Sequence, residues 1–486
     1  MSTSGRLSFV HHNCHDVQVG DRRVLFHIPS SAMFDLDPVG ADLLDLFKSQ
    51  GSLGAADIEL ALSGRHDAQS VLDTLQELRT LDIISDRADQ PPANPRPSIT
   101  GFPLSTLVLN VNTGCNLGCS YCYKEDLATP DEGRKMAFDT ARESIELLLR
   151  EGAVRDRINI VFFGGEPLSN LPLIRQATEY ARARCRELGK TVDFSLTTNA
   201  TLLNEERVDW LNENAFSIAV SIDGPQAIHD RHRITIGGAG TYEVVARKVR
   251  MLLSRYTARP VGARVTLTSG NTDVLAIHRH LKDELGFYEV GYAPVTSSDK
   301  VLYNLSGGEL KTVFEGMKTL GLAYQEAALA GRNIGFSNMH QLMTDLHEGS
   351  RKALPCGAGV GMLAVDMAGD LNLCHRFTGS SLPTYGNVSR GIDKPALSRF
   401  LNQAADRDGR GCATCRIRNL CSGGCYHESY AHDGDPLAPV YHYCDLMRDW
   451  VDFGIGVYSR IIRGNPAFFE RHVLPRRASY ETTQRN

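Results

Sequence analysis

Ten of the twelve cysteines fall into two groups, and no other feature restricts the possible folds so sharply. The first group is Cys115, Cys119 and Cys122. The second is Cys356, Cys374, Cys412, Cys415, Cys421, Cys425 and Cys444, while Cys14 and Cys185 stand alone. Thiols so placed are either paired by oxidation or bound to metal, and the compartment decides between the two. Met1–Gly20 carries polar residues and three histidines where a signal peptide would have an apolar core. No apolar run approaches the roughly 18–20 residues that span a bilayer. The expected location is therefore the cytoplasm, where thiols stay reduced, and the expected role of the clustered cysteines is metal ligation. Zinc and iron–sulfur clusters both take thiolates, so composition alone leaves both open.

With 486 residues the chain has room for two or three domains. Its 42% hydrophobic and 22% charged residues exclude collagen, coiled coil and wholesale disorder. Lys and Arg number 52 against 57 Asp and Glu, a net charge of −5, which gives no support for general nucleic-acid binding.

Residues 1–88 read as a small α+β unit. Strands are expected at Leu7–Val10, Val17–Val19 and Val24–Ile28, followed by helical spacing at Val39, Leu43, Leu44 and Phe47 and again at Val71, Leu75 and Leu78. Residues 89–104 hold Pro91, Pro92, Pro95 and Pro97 and read as a semi-rigid linker to a separately folding unit. Over residues 105–300, β-type runs at Thr106–Val111, Ile158–Phe163, Val192–Leu196, Phe216–Ile222, Ala263–Leu267 and Tyr288–Tyr292 alternate with helical stretches. Six strand–helix repeats imply parallel strands with crossover helices, an open partial barrel whose chemistry gathers at the C-terminal strand ends. Residues 301–353 read as a helical connector and 354–446 as a cysteine-rich domain. Residues 447–486 read as a helix over Val451–Ile462 and a polar tail.

Cys115-Asn-Leu-Gly-Cys119-Ser-Tyr-Cys122 has the spacing C-x3-C-x2-C and directly follows the first barrel strand. Three thiolates can hold three irons of a 4Fe–4S cluster and leave the fourth open. A zinc site needs a fourth close ligand, and no further His, Cys or Asp stands nearby before Asp126. The spacing resembles that of the radical S-adenosylmethionine (radical SAM) superfamily. The resemblance continues at Phe163-Gly164-Gly165-Glu166-Pro167, similar to the family's GGEP element, which meets the amino group of SAM. It continues again at Thr197-Thr198-Asn199 and at Ser221-Ile222-Asp223-Gly224 with Arg233, similar to segments that touch the ribose and carboxylate of SAM. Glycines let a backbone approach a ligand closely. Singly, a GG pair is more often a plain turn, and Ser or Asn at a strand end is often a helix cap. Here all occur in order, each at a strand end, over residues 105–295. The resemblance implies SAM bound at the open iron and an electron donor of flavodoxin or ferredoxin type. It also implies a 5′-deoxyadenosyl radical that takes hydrogen from an unactivated C–H bond.

The second group reads Cys356-x12-Gly369-x4-Cys374, then Cys412-x2-Cys415-x5-Cys421-x3-Cys425-x18-Cys444. It resembles the SPASM extension of radical SAM peptide maturases, which implies two auxiliary 4Fe–4S clusters and three in all. By the family's interleaving, Cys412, Cys415, Cys421 and Cys444 hold one and Cys356, Cys374 and Cys425 the other. The latter set is one ligand short. Ser350 stands where some relatives have a further cysteine, and Cys14 and Cys185 are weak substitutes. His375 follows Cys374 where sulfatase-maturing members have an Asp that acts as a base, which argues against formylglycine formation.

Residues 1–88 resemble the winged-helix-like peptide-recognition element of peptide maturases, whose precursor leader adds a strand to the sheet edge. Asp35, Asp37, Asp42, Asp45, Asp57 and Glu59 disfavour the DNA-binding use of such a unit. With HHNCHDVQVGDRRVLFHIPSSAMFDLD at residues 11–37, the whole chain is similar to the quinohemoprotein amine dehydrogenase maturation family. That similarity implies Cys-to-Asp or Cys-to-Glu methylene thioethers formed in the small subunit. Other peptide chemistries on this scaffold remain open: thioethers to an α-carbon, carbon–carbon crosslinks or side-chain oxidation. A non-catalytic iron–sulfur electron carrier would have no need of the SAM-contact segments.

Overall fold

The computed structural model describes residues 6–86, 99, 101–123, 133–296, 301–406, 411–438 and 441–473. The linker prolines lie outside these residues. The six expected barrel strands are Thr106–Asn110, Arg157–Phe163, Thr191–Thr198, Ser217–Ser221, Gly262–Leu267 and Glu289–Pro294. They pair in parallel, each beside the next in chain order, as right-handed crossovers through helices require. Side chains alternate along each strand. In the second strand Ile158, Ile160 and Phe162 are buried beneath the helices, while Asn159, Val161 and Phe163 are half-buried on the concave face.

The sheet does not end at the first barrel strand. Met362–Val365 pairs in parallel with Thr106–Asn110, and Leu371–Asn372 turns back antiparallel to it. The cysteine-rich segment thus extends the barrel sheet to eight strands, and Cys374 follows the outer edge strand, one strand removed from the strand that leads into Cys115. These strands have four and two residues, too short to show a period in the sequence. The connector forms helices Gly307–Leu329 and Ser337–His347, which pack on a long C-terminal helix. That helix runs from Cys444 to Gly464. It begins well before the expected Val451, so the last cysteine opens the helix.

The N-terminal unit has an antiparallel sheet of Cys14–Val19, Arg22–His27 and Ala32–Asp35 and three helices, Pro38–Gln50, Ala55–Leu62 and Ala68–Thr80. Its central strand alternates between two cores. Leu25 joins Leu43, Leu44 and Phe47 in the unit's own core, whereas Val24, Phe26 and Ile28 join the large core of the rest of the chain. Polar contacts fasten the same seam. Arg418 Nη1 donates to His12 O at 2.8 Å, Asn419 Nδ2 to Ile28 O at 2.7 Å and Ser31 Oγ to Ser350 O at 2.8 Å. His15 Nε2 meets Asp452 Oδ1 at 3.0 Å. The unit therefore has a core of its own, while one face of its sheet is core for its neighbour. Among the described residues no helix is long and apolar enough to cross a membrane.

Candidate active site at the barrel mouth

The loop holding Cys115, Cys119 and Cys122 leaves the first barrel strand and is gripped from both sides. Gly118 N donates to Ile234 O at 2.9 Å and Ser120 N to His232 O at 3.0 Å, so residues 232–235 run alongside it like a short strand. On the other side Asn112 Nδ2 donates to Gly114 O at 2.8 Å and to Glu166 O at 3.0 Å. A Cβ on Gly165 would lie 1.9 Å from Gly114 O, and one on Gly164, at φ +147°, would lie 2.4 Å from Asn112 Oδ1. The glycines are thus required by the cysteine loop that lies against them, a different reason from the close ligand approach expected from sequence.

Glu166 is buried. Its Oε1 accepts from Thr198 Oγ1 at 2.7 Å and Leu168 N at 3.1 Å, and its Oε2 from Asn199 N at 2.8 Å. Burial pushes this carboxyl up to about 7, against the pull of those three donors. Glu166 and Thr198 thereby tie the ends of the second and third strands together. Asn199 Nδ2 reaches toward the loop, 3.0 Å from Asn116 Oδ1 and 3.7 Å from Cys115 Sγ. Asp223 is also buried. Its Oδ2 accepts from Tyr121 Oη at 2.6 Å and Arg233 Nε at 3.0 Å, and its Oδ1 from Thr266 N at 3.0 Å. Arg233 lies over the Tyr121 ring and keeps its charge in this buried pair. Its two remaining guanidinium nitrogens have no partner among the described residues. Ser221 is half-buried on the concave face at the end of the fourth strand. Asn112, Asn116, Tyr121 and His232 complete the arrangement and went unread in the sequence. Tyr121, an aromatic between two cysteines, and Asn112, just past an apolar strand, were the available signals.

Each cysteine group proposed from spacing has its own electrostatic neighbourhood. Cys119 feels Cys115 and Cys122; Cys374 feels Cys425 and Cys356; Cys444 feels Cys421, Cys412 and Cys415. Burial pushes Cys119 and Cys444 up to about 11 and Cys374 to about 12, so without metal these thiols hold their protons. Among the described residues no three or more His, Cys, Asp or Glu side chains converge as a single-ion site. Thiols within each spacing group act on one another, with Glu166 also close to Cys115 and Asp223 to Cys119, and a thiol-rich donor set of this kind fits an iron–sulfur cluster. Cys14 is buried in the N-terminal sheet and Cys185 on the barrel's outer helix, and no other cysteine is among the charges acting on either. Two aromatic contacts bridge the groups. His375 lies 4.1 Å from the Phe163 ring and His427 5.8 Å from that of Tyr123.

Residues 109–276 match the model of the Radical SAM superfamily. The chain is 23% identical to a cysteine-type anaerobic sulfatase-maturating enzyme of Clostridium perfringens, over 72% of its own length and 96% of the relative's. It is 27% identical to a serine-type anaerobic sulfatase-maturating enzyme of Klebsiella aerogenes, over 71% and 85%. The solved structure of native anSMEcpe with bound AdoMet and Cp18Cys peptide superposes with a TM-score of 0.62. It shares 21% identity and covers 75% of this chain and 99% of that one.

Proposed function

We propose that this chain, whose residues 109–276 match the Radical SAM superfamily model, is a radical SAM maturase that modifies a ribosomal peptide or small protein subunit. The reaction we favour forms Cys-to-Asp or Cys-to-Glu methylene thioethers in the small subunit of quinohemoprotein amine dehydrogenase. The single observation that carries the SAM reading is the grip on the three-cysteine loop. Strand ends one to four all converge on it through Asn112, Glu166, Asn199 and Asp223. Cys115, Cys119 and Cys122 would hold a 4Fe–4S cluster, and Arg233 with Ser221 would meet the carboxylate of SAM. Cluster and SAM, once bound, would supply the radical chemistry that removes hydrogen from an unactivated C–H bond of the substrate. The chain's own residues position these groups. The Glu166 staple fixes the backbone of residues 164–166, Asp223 aims Arg233, and the concave barrel face shields the reacting atoms from water.

The remaining cysteines would hold two auxiliary clusters, with a flavodoxin- or ferredoxin-type protein as electron donor. The sulfatase-maturase relatives invite formylglycine formation as a second reading; His375 follows Cys374 where, by the family resemblance, those enzymes carry an aspartate base, and this favours the thioether reading. The test is anaerobic co-expression with the amine dehydrogenase small subunit, followed by mass spectrometry. A loss of 2 Da per bond with blocked thiols supports the proposal. A sulfatase peptide converted to formylglycine, with the subunit untouched, rejects it.

A further inference from the structure

Arg264 stands on the concave face of the fifth barrel strand. Its neighbours Ala263, Val265 and Leu267 point the other way into the core. In register it lies between Ser221 on the fourth strand and Gly291 on the sixth. A Cβ on Gly291 would lie 2.2 Å from Arg264 Nη1, so glycine provides the seat on which the guanidinium lies. Ser221, Gly291 and Ala293 are all small, which leaves space over the charge.

At the opposite, N-terminal ends of the strands the protein pairs its cations. Asp193 takes both Arg157 Nε at 3.3 Å and Arg259 Nη2 at 2.5 Å. Arg264 has no ion pair or hydrogen bond among the described residues and is exposed to the cavity. An always-charged, planar donor fork held in a concave site without a counter-ion is complementary to a carboxylate.

We propose that Arg264 binds the carboxylate of an acidic side chain in the peptide substrate and thereby selects the residue presented to the radical. This rests on the maturase reading and deepens it, since the proposed thioether bond forms at a methylene next to such a carboxylate. A bidentate contact would fix that group and leave its methylene free to face the bound SAM. Arg264 is thus a specificity residue that touches substrate, distinct from the Arg233–Asp223 pair at the cysteine loop.

The carboxylate of SAM offers the same chemistry, so the test has separate arms. Wild type, Arg264→Gln and Arg264→Lys are reconstituted with iron and sulfide. Each is assayed for 5′-deoxyadenosine without peptide and for crosslinked amine dehydrogenase small subunit. In Arg264→Gln, product should fall at least tenfold more than peptide-free SAM cleavage does. Arg264→Lys, a point charge without the fork, should fall between the two. Replacing the target Asp or Glu of the subunit by Asn or Gln should depress the wild type strongly and Arg264→Gln little further, because the pair is already broken. Equal loss of SAM cleavage and product would assign Arg264 to SAM and overturn the proposal, as would a variant that still prefers the acidic residue. A wild-type crosslink at a non-acidic residue would instead overturn the thioether reading.

Discussion

The two cysteine regions are assembled in opposite ways. The first lies on eight consecutive residues, 115–122, gripped by groups at the barrel strand ends and by residues 232–235, just beyond the short helix Gln226–His229. The second collects thiols from residues 356 to 444 and is fastened to the N-terminal sheet through Arg418, Asn419 and the helix that Cys444 opens. A site on a rigid sheet edge is positioned locally. A site drawn from distant segments holds its shape only while the long-range packing around it survives. The two regions should therefore fail differently.

The largest expected effect lies at the first region. Cys115→Ala, Cys119→Ala or Cys122→Ala should each abolish 5′-deoxyadenosine formation. Iron should fall from about twelve per chain toward about eight, since four irons belong to each cluster. Cys412→Ala or Cys415→Ala should lose crosslinked product while SAM cleavage persists in part. A triple variant of the first group that still cleaves SAM reductively would break both the comparison and the assignment.

The next effect tests the seam. Phe26 is fully buried in the large core, so Phe26→Ala should cost about 3–5 kcal/mol in denaturant unfolding. Auxiliary iron should be lost before the Cys115 cluster. Deletion of residues 1–95 should act the same way and further, because it bares Val24, Phe26 and Ile28's partners. A truncated chain that still binds about twelve irons would mean that the unit folds apart and serves only to dock the leader peptide.

The barrel was legible ahead of the structure because its strands are apolar, β-rich runs separated by helices of ordinary length. Ile158–Phe163 was placed to within one residue of the observed strand. The clustered cysteines were legible because tight spacing is itself a chemical signature. The short strands Met362–Val365 and Ala32–Asp35 were not, since their pairing is decided by distant partners. Asn112 and Asp223 illustrate the same limit. Asn112 finds Glu166 across 54 positions and Asp223 finds Tyr121 across 102. No local pattern encodes such contacts.

A smaller effect concerns the segment that clasps the cysteine loop. His229 is buried, its Nδ1 3.4 Å from Asp223 N and its Nε2 3.1 Å from Thr241 Oγ1, and burial holds it down at about 4. The folded value lies below the ordinary value of 6.5, so the unfolded chain takes up a proton first as pH falls. This contribution is intact above pH 6.5 and is lost progressively toward pH 4, by up to about 3 kcal/mol. Urea midpoints between pH 7.5 and 4.5 should fall less steeply in His229→Gln than in wild type. Parallel slopes would show that His229 does not couple this segment to pH.

The smallest effect lies at the rim of the seam that Phe26 anchors. Arg463 Nη1 meets Asp35 Oδ2 at 2.9 Å, with roughly half of each side chain exposed. Asp35 also meets Arg22 at 2.8 Å, so removing Arg463 leaves the carboxylate partnered. Exposed pairs of this kind contribute about 0–1 kcal/mol, because water screens the charges and ordering two long side chains costs entropy. Arg463→Ala should therefore shift the unfolding midpoint barely, and less still at high salt. Auxiliary iron should stay bound. The seam would then owe its strength to the buried face of Val24, Phe26 and Ile28. A loss above about 2 kcal/mol, erased by salt, would mean that charge rather than apolar burial joins the N-terminal sheet to the cysteine-rich region.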